Sequence, residues 1–323
     1  MAEILVTGGA GFIGSHLCNK LLEMGHVVVS IDNFDPYYDV NIKKENVSLL
    51  QRHPKAENFI FIKGDILDKG FLEELFKSYQ FEYIFHQAAQ AGVRVSVENP
   101  FKPHEVNTTG ILNLLECVKR SECVRKFINA SSSSVYGTVK YLPFDEQHPT
   151  LPVSPYGATK LLSEHYLRIY HELYDIEAVS IRYFTVFGPR MRPDLAISIF
   201  TDRALLNKPI EIFGDGTKTR DFTYIENIVE ANIQLMKRGE GEINIGSGER
   251  TSILELAKKI IDLTGSESEI VFSSEQRGDA EHTLADISKA RKEFGYHPEI
   301  KLEEGLRRFI QWYKNHRLKK RDG

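Results

Sequence analysis

"ILVTGGAGFIGSH", residues 4–16, joins an apolar run to three glycines spaced three apart, Gly8, Gly11 and Gly14, and then to a helical pattern. A chain turning sharply out of a strand needs glycine, and bare backbone there lets an anion approach closely. The helix that follows offers unpaired N–H groups and the positive end of its dipole to that anion. The stretch therefore predicts a strand, a phosphate-cradling loop running through Phe12 and Ile13, and a helix, the opening of a dinucleotide-binding fold. "SIDNF" (30–34) ends the next apolar run. It puts Asp32, with Asn33 beside it, where a carboxylate accepts hydrogen bonds from adenosine ribose hydroxyls. A carboxylate at that point repels a 2′-phosphate, so the pattern favours NAD over NADP.

Outward from this loop the chain keeps a βα rhythm. Apolar runs at 3–7, 26–31, 59–63, 83–85, 126–130 and 177–182 read as strands. Helical spacing fills 12–24, 69–79 and 106–119, with a more polar stretch at 40–52. Strands this uniformly apolar are expected to be buried on both faces, as in a parallel sheet. The expected fold is α/β, a doubly wound parallel (Rossmann-type) sheet with right-handed crossovers. After residue 183 the elements shorten between Gly-Pro, Gly-Asp-Gly and Asn-Lys-Pro turns. We expect residues 1–182 to form mainly the NAD-binding domain and 183–323 mainly a smaller substrate-binding lobe, with chain crossing between them.

Composition narrows the function. With 41 Lys and Arg against 45 Asp and Glu, the net charge of −4 provides no basic field for nucleic acid. No apolar run reaches the length of about 18 residues that spans a bilayer. The N-terminus lacks a secretory pattern, and Cys18, Cys117 and Cys123 fit no metal or redox spacing. The expectation is a cytoplasmic protein with free thiols and no metal.

"NASSSSVYG" (129–137) follows an apolar strand directly, and no low-complexity linker surrounds it. In a doubly wound sheet chemistry gathers outside the carboxyl ends of the strands, so these serines form an active-site wall. "SPYGATK" (154–160) sets Tyr156 and Lys160 four residues apart, on one face of a helix. Tyrosine titrates at about pH 10 and is a poor base at neutrality. A nearby ammonium and a positive nicotinamide ring favour the phenolate. Tyr156 is then placed to take a proton from a substrate hydroxyl while hydride leaves the same carbon.

These motifs, in this order, resemble the extended short-chain dehydrogenase/reductase family over essentially the whole chain. The resemblance implies Asp65 and Ile66 of "KGDILD" at the adenine, and Gln87, Ala88 and Ala89 of "FHQAAQAGV" beside the dinucleotide. It adds Asn107 of "VNTTG" to the cofactor site, and Tyr183 and Phe184 to the nicotinamide side. It makes Ser132 the hydroxyl partner of Tyr156 and Lys160, and leaves Ser131 a backbone-capping role. Family members that dehydrate a hexose carry acidic residues at the next two positions, and decarboxylating members carry a glutamate at the second. Here both are serines, Ser133 and Ser134. Elimination lacks its acid, and the remaining use of the site is to oxidise, turn the ketone over and reduce its other face. That is a 4-epimerase in which NAD stays bound.

"FGDGTKTRDFTY" (213–224) and "EQRGDAEHTLAD" (275–286) are similar to nucleotide-sugar epimerase segments. They imply Arg220 and Arg277 at the diphosphate and Asp279 at the ribose of a UDP-sugar, although Gln276 stands where the family's second arginine is usual. "RYFTVFGPRMRPDLAISIF" (182–200), "DPYYD" (35–39) and "QAGVRVS" (90–96) resemble most the members acting on UDP-glucuronate. The resemblance implies Thr185 and Arg192 at the sugar carboxylate and Arg94 at the pocket wall, since a guanidinium fork suits a planar carboxylate. Rival readings are a 4-epimerase of UDP-glucose or UDP-N-acetylglucosamine, a UDP-glucuronate decarboxylase, and a non-catalytic NAD-binding regulator. Helices expected at 101–120 and 155–173 pair across a two-fold axis in the family, which implies a homodimer.

Overall fold

The structure is a computed structural model that describes residues 1–275 and 280–318. In chain order β1 (Glu3–Thr7), β2 (Val27–Asp32), β3 (Phe59–Lys63), β4 (Tyr83–His86), β5 (Lys126–Ser132) and β6 (Ala178–Tyr183) enter one sheet. The chain then leaves it through the short strands β7 (Thr185–Phe187), β8 (Ile210–Phe213), β9 (Thr219–Arg220) and β10 (Phe222–Tyr224). It returns as β11 (Gly241–Ile245), parallel to β6, before β12 (Thr251–Ser252) and β13 (Ile270–Ser273). The large sheet runs β11-β6-β5-β4-β1-β2-β3 with every neighbour parallel. This is a Rossmann-type order, reversing direction between β1 and β4.

Apolar runs become central strands because both faces are covered. Ile4 and Val6 enter one buried cluster, while Leu5 between them enters the other. The period of two sends successive side chains to opposite faces, and helices cover each. Burying one such aliphatic side chain is worth about 1.5–3 kcal/mol. Outside the sheet, β7 pairs with β10, β8 with β13 and β9 with β12, forming small sheets of two strands each. These lie beyond the carboxyl end of β6 in chain order and build the second lobe.

Helix Pro155–Tyr174 begins where Ser154 caps the Gly157 N–H at 3.1 Å and Pro155 takes the first turn. The Tyr156 N–H, another of the first-turn donors, is satisfied by the Ser96 hydroxyl at 3.1 Å. Between residues 101 and 118 the expected single helix is interrupted. Phe101–His104 passes into a π-helical turn at Glu105–Thr109 before Gly110–Val118. Asn107 sits in that turn. Among the described residues no helix is long and apolar enough to cross a membrane.

Candidate active site

The glycine loop leaves β1 with Gly8 at φ +68°, and the Gly8 and Gly9 N–H groups both donate to the Ile31 carbonyl. A Cβ on Gly14 would stand 2.3 Å from the Gly8 oxygen, and one on Gly8 would stand 2.7 Å from the Ala88 nitrogen. Helix and loop can approach this closely only as glycine. Gly11 is the N-cap of helix Phe12–Glu23 and no side chain caps it; first-turn N–H groups such as those of Phe12 and Ile13 lack intrahelical acceptors and suit an anion. This cradle fits the diphosphate of a dinucleotide. Asn46, absent from the sequence reading, braces it by donating to the Ala10 carbonyl at 2.9 Å.

Asp32 ends β2, buried, with an oxygen accepting from the Phe34 N–H at 2.8 Å. Burial pushes its pKa up, and Lys43, 3.6 Å away on helix Val40–Gln51, opposes that. Asn33 reaches Asp65 at 2.9 Å, linking the ends of β2 and β3. Ile66 is buried against Gly110. Gln87, Ala88 and Ala89 are half-buried immediately after β4, with the Ala88 N–H on the Thr7 hydroxyl. Gln87 also donates to the Tyr183 hydroxyl at 3.2 Å, and that hydroxyl donates to Asn232 at 2.8 Å. Asn107 is held by three bonds within the protein. Its amide accepts from the Gln90 N–H at 2.8 Å and donates to the Gln90 carbonyl and the Thr159 hydroxyl. It staples the loop after β4 to the helix that carries Tyr156.

Ser132, Tyr156 and Lys160 meet at the carboxyl end of β5. Ser132 is the last residue of that strand; its hydroxyl accepts from the Ser134 N–H and donates to the Ser134 hydroxyl, each at 3.1 Å. Lys160 is buried, donates to the Ala130 carbonyl at 2.6 Å, and lies 6.0 Å from the centre of the Tyr156 ring. Burial pushes the Tyr156 phenol above its ordinary value, while its hydrogen bond with Ser132 and the charge of Arg192 pull the other way. The lowered phenol expected from a neighbouring ammonium is therefore not produced by the protein's own groups. Desolvation outweighs them, and the Lys160 ammonium is anchored by one of its three N–H groups on the Ala130 carbonyl. Burial also pulls Lys160 down to about 8, opposed by the Glu164 carboxylate.

Glu164 belongs to a network that the sequence did not disclose. It is buried, takes two bonds from Arg182 at 3.0 and 2.8 Å, and accepts from the Ser131 hydroxyl. Ser131 and Arg182 face each other in the β5–β6 register. Ser131, read as a backbone cap, instead anchors this ion pair beneath Lys160. A second cation, Arg190, donates to His16 at 2.8 Å, against the helix that follows the glycine loop. His16 in turn bonds the Pro189 carbonyl at 2.9 Å, and its pKa is held well below the ordinary value by burial and by Arg190.

On the substrate side, Thr185 starts β7, and its N–H donates to the Asp221 carbonyl at 2.9 Å. Arg192 is mostly buried, 3.3 Å from Asp194, with its guanidinium over the Tyr37 ring. Arg94 is exposed and lies over Phe213 of the second lobe at 5.1 Å. Arg220 donates to the Thr219 and Glu281 carbonyls. Next to it Asp221, fully buried, accepts from the Ser247, Gly248 and Ala285 N–H groups and the Ser247 and Thr223 hydroxyls, tying β10 to the turn after β11. Arg277 and Asp279 lie outside the described residues. The described residues hold no cluster of three or more His, Cys, Asp or Glu able to bind a metal ion.

Residues 5–309 match the family described as GDP-mannose 4,6 dehydratase. The chain is 41% identical over 317 residues to a UDP-glucuronate 4-epimerase of Thermodesulfobacterium geofontis, covering 97% of each protein. It is 40% identical over 315 residues to a putative UDP-glucose 4-epimerase of Methanocaldococcus jannaschii, covering 97% of this chain and 98% of that protein. Among solved structures it superposes on the UDP-glucuronic acid 4-epimerase of Bacillus cereus in complex with UDP-glucuronic acid and NAD. The TM-score is 0.90 at 38% identity, covering 97% of this chain and 99% of the other.

Proposed function

From its place in the GDP-mannose 4,6 dehydratase family of extended short-chain dehydrogenase/reductases, to which this chain belongs, we infer that it is an NAD-dependent UDP-sugar 4-epimerase, acting on UDP-glucuronate to give UDP-galacturonate. NAD, when bound, takes up and returns the hydride. The glycine loop, Asp32 and the turn after β4 would hold it.

The chain's own residues handle the proton and the sugar. Tyr156 exchanges a proton with the oxygen on carbon 4, Ser132 holds that oxygen and the phenol, and Lys160 supplies positive charge from its post on Ala130. The observation that carries an epimerase over a dehydratase or decarboxylase is the wall itself. Ser133 and Ser134 place hydroxyls, not carboxyls, beside Ser132, so these two positions supply no carboxyl acid or base for elimination. The observation favouring a carboxylate-bearing sugar over a neutral one is Arg192, a mostly buried cation whose charge reaches the Tyr156 phenol. We assign it, with Thr185, to the sugar carboxylate, Arg94 to the pocket wall, Arg220 and Arg277 to the diphosphate, and Asp279 to the uridine ribose. In this division residues 1–182 serve mainly the cofactor and 183–323 mainly the UDP-sugar. The thiols of Cys18, Cys117 and Cys123 are free, which suits a reducing cytoplasm. A homodimer completes the reading.

Incubating the purified protein with UDP-glucuronate and no added NAD, then separating the sugar nucleotides, tests the assignment. UDP-galacturonate should form without release of carbon dioxide. A UDP-pentose product, or conversion of UDP-glucose alone, overturns the substrate assignment.

A further inference from the structure

Two groups bear on Arg192, and a third, Gly92, encloses one of them. Asp194 sets a carboxylate oxygen 3.3 Å from the guanidinium Nε. Tyr37 donates its hydroxyl to the other Asp194 oxygen at 3.0 Å, and its ring lies under the guanidinium, 5.1 Å from centroid to Cζ. Gly92 completes the enclosure. A Cβ there would stand 2.5 Å from the Tyr37 hydroxyl, so the loop after β4 closes on Tyr37 only as glycine, at φ +110°. Tyr37 is itself fixed, since its N–H donates to Asp35 at 2.9 Å and Asp35 pairs with Lys102 at 2.7 Å.

This grip is one-sided. Asp194 takes the Nε edge of Arg192 and Tyr37 takes one face. Among the described residues neither terminal guanidinium nitrogen has a hydrogen-bond partner. An arginine held by its Nε edge presents both terminal N–H groups as a fork, the geometry that receives a carboxylate by two bonds. The fork belongs to the catalytic chamber, because the Arg192 charge acts on the Tyr156 phenol and Tyr156 in turn acts on Tyr37.

We propose that Asp194 and Tyr37 are positioning residues that orient the Arg192 fork toward the carboxylate of the sugar, and so set the preference for an acidic over a neutral UDP-sugar. The proposal rests on the UDP-glucuronate reading above. Asp194 touches no reacting atom and acts through Arg192. Its carboxylate also offsets part of the guanidinium charge, so Arg192 is not an unpaired buried cation before a sugar carboxylate arrives.

The test compares the parent with Asp194→Ala and Asp194→Glu by titration calorimetry with UDP-glucuronate and with UDP, and by KM and kcat on UDP-glucuronate. A well-oriented charge-assisted pair is worth about 1.5–3 kcal/mol, which corresponds to a roughly tenfold or greater loss of affinity. Asp194→Ala should therefore weaken UDP-glucuronate binding and raise its KM about tenfold or more, with UDP affinity within about twofold of the parent. Asp194→Glu should restore part of the loss. Equal losses for both ligands would mean a general structural role, and tighter UDP-glucuronate binding would mean that Asp194 competes with the substrate; either overturns the proposal. A parent that converts UDP-glucuronate while the variant binds it normally sinks this inference and leaves the function standing. A parent that neither binds nor converts UDP-glucuronate sinks both.

Discussion

The Lys160 ammonium answers to one carbonyl and one carboxylate. Burial draws its pKa down to about 8, and Glu164 keeps it from falling further. The other titratable groups around it are the Tyr156 phenol and His86, which burial drives down to about 3 and so leaves neutral. A cation at Lys160 favours the Tyr156 phenolate. Turnover should therefore fall as pH rises through about 8, where the ammonium is lost. Glu164→Gln removes the charge that holds this pKa up, so the fall should begin nearer neutrality, by on the order of one pH unit. Profiles of kcat against pH for parent and variant decide the matter, and an unmoved alkaline midpoint would refute the coupling. At this scale the spacing of Tyr156 and Lys160 was readable, because four residues on a helix make one face. The direction of the phenol's shift was not, because it depends on burial. Glu164 stands another turn along the same face, yet its role stays hidden until Arg182 is set opposite Ser131 by strand register.

Helix Phe12–Glu23 can sit against the glycine loop because Gly14 lacks a side chain. A Cβ there would meet the Gly8 oxygen at 2.3 Å and the Gly9 Cα at 2.9 Å, whereas one on Gly11 would meet the Gly8 oxygen at 3.1 Å. Backbone cannot yield by such an amount without moving the element. Gly14→Ala should push the helix start off the cradle and leave the purified protein with substoichiometric NAD, while Gly11→Ala should retain more. Nucleotide released by denaturation and quantified by chromatography measures both, and full NAD in Gly14→Ala would show that the close approach is dispensable. Elements of this kind were legible because a two-sided parallel strand is a pure apolar run and a glycine loop has fixed spacing. The six early strands accordingly lie within a residue or two of their expected limits. β11 was missed, since Glu242 and Asn244 break up the apolar run of Gly241–Ile245 and its pairing with β6 spans a long crossover. The π turn at Glu105–Thr109 was missed too. Its apolar spacing reads as ordinary helix, and the Asn107 bonds that lie in it join residues far apart in the chain.

The whole molecule leaves apolar surface on one pair of neighbouring helices that the sheet does not need. Phe101 is 81% exposed and Leu173 65%, with Tyr174 and Ile169 also exposed on helix Pro155–Tyr174. Large apolar side chains left exposed along the length of one helix pair, from Phe101 at one end to Leu173 at the other, mark a contact face. Self-association about a two-fold axis would cover the face with its own copy, so each residue counts twice in the interface. The helix that would form this contact also carries Tyr156 and Lys160 at its start, which makes assembly and chemistry neighbours along one rigid element. We therefore expect a homodimer in which Leu173→Glu places a carboxylate against its own symmetry mate or an apolar neighbour, a cost of several kcal/mol per buried charge. Light scattering after size exclusion should give twice the chain mass for the parent and the single chain mass for Leu173→Glu. Leu173 is far along the helix from the cofactor cradle, so NAD content should be unchanged in the variant. A monomeric parent, or a dimeric variant, would show that these side chains are surface and that the helices only roof the sheet.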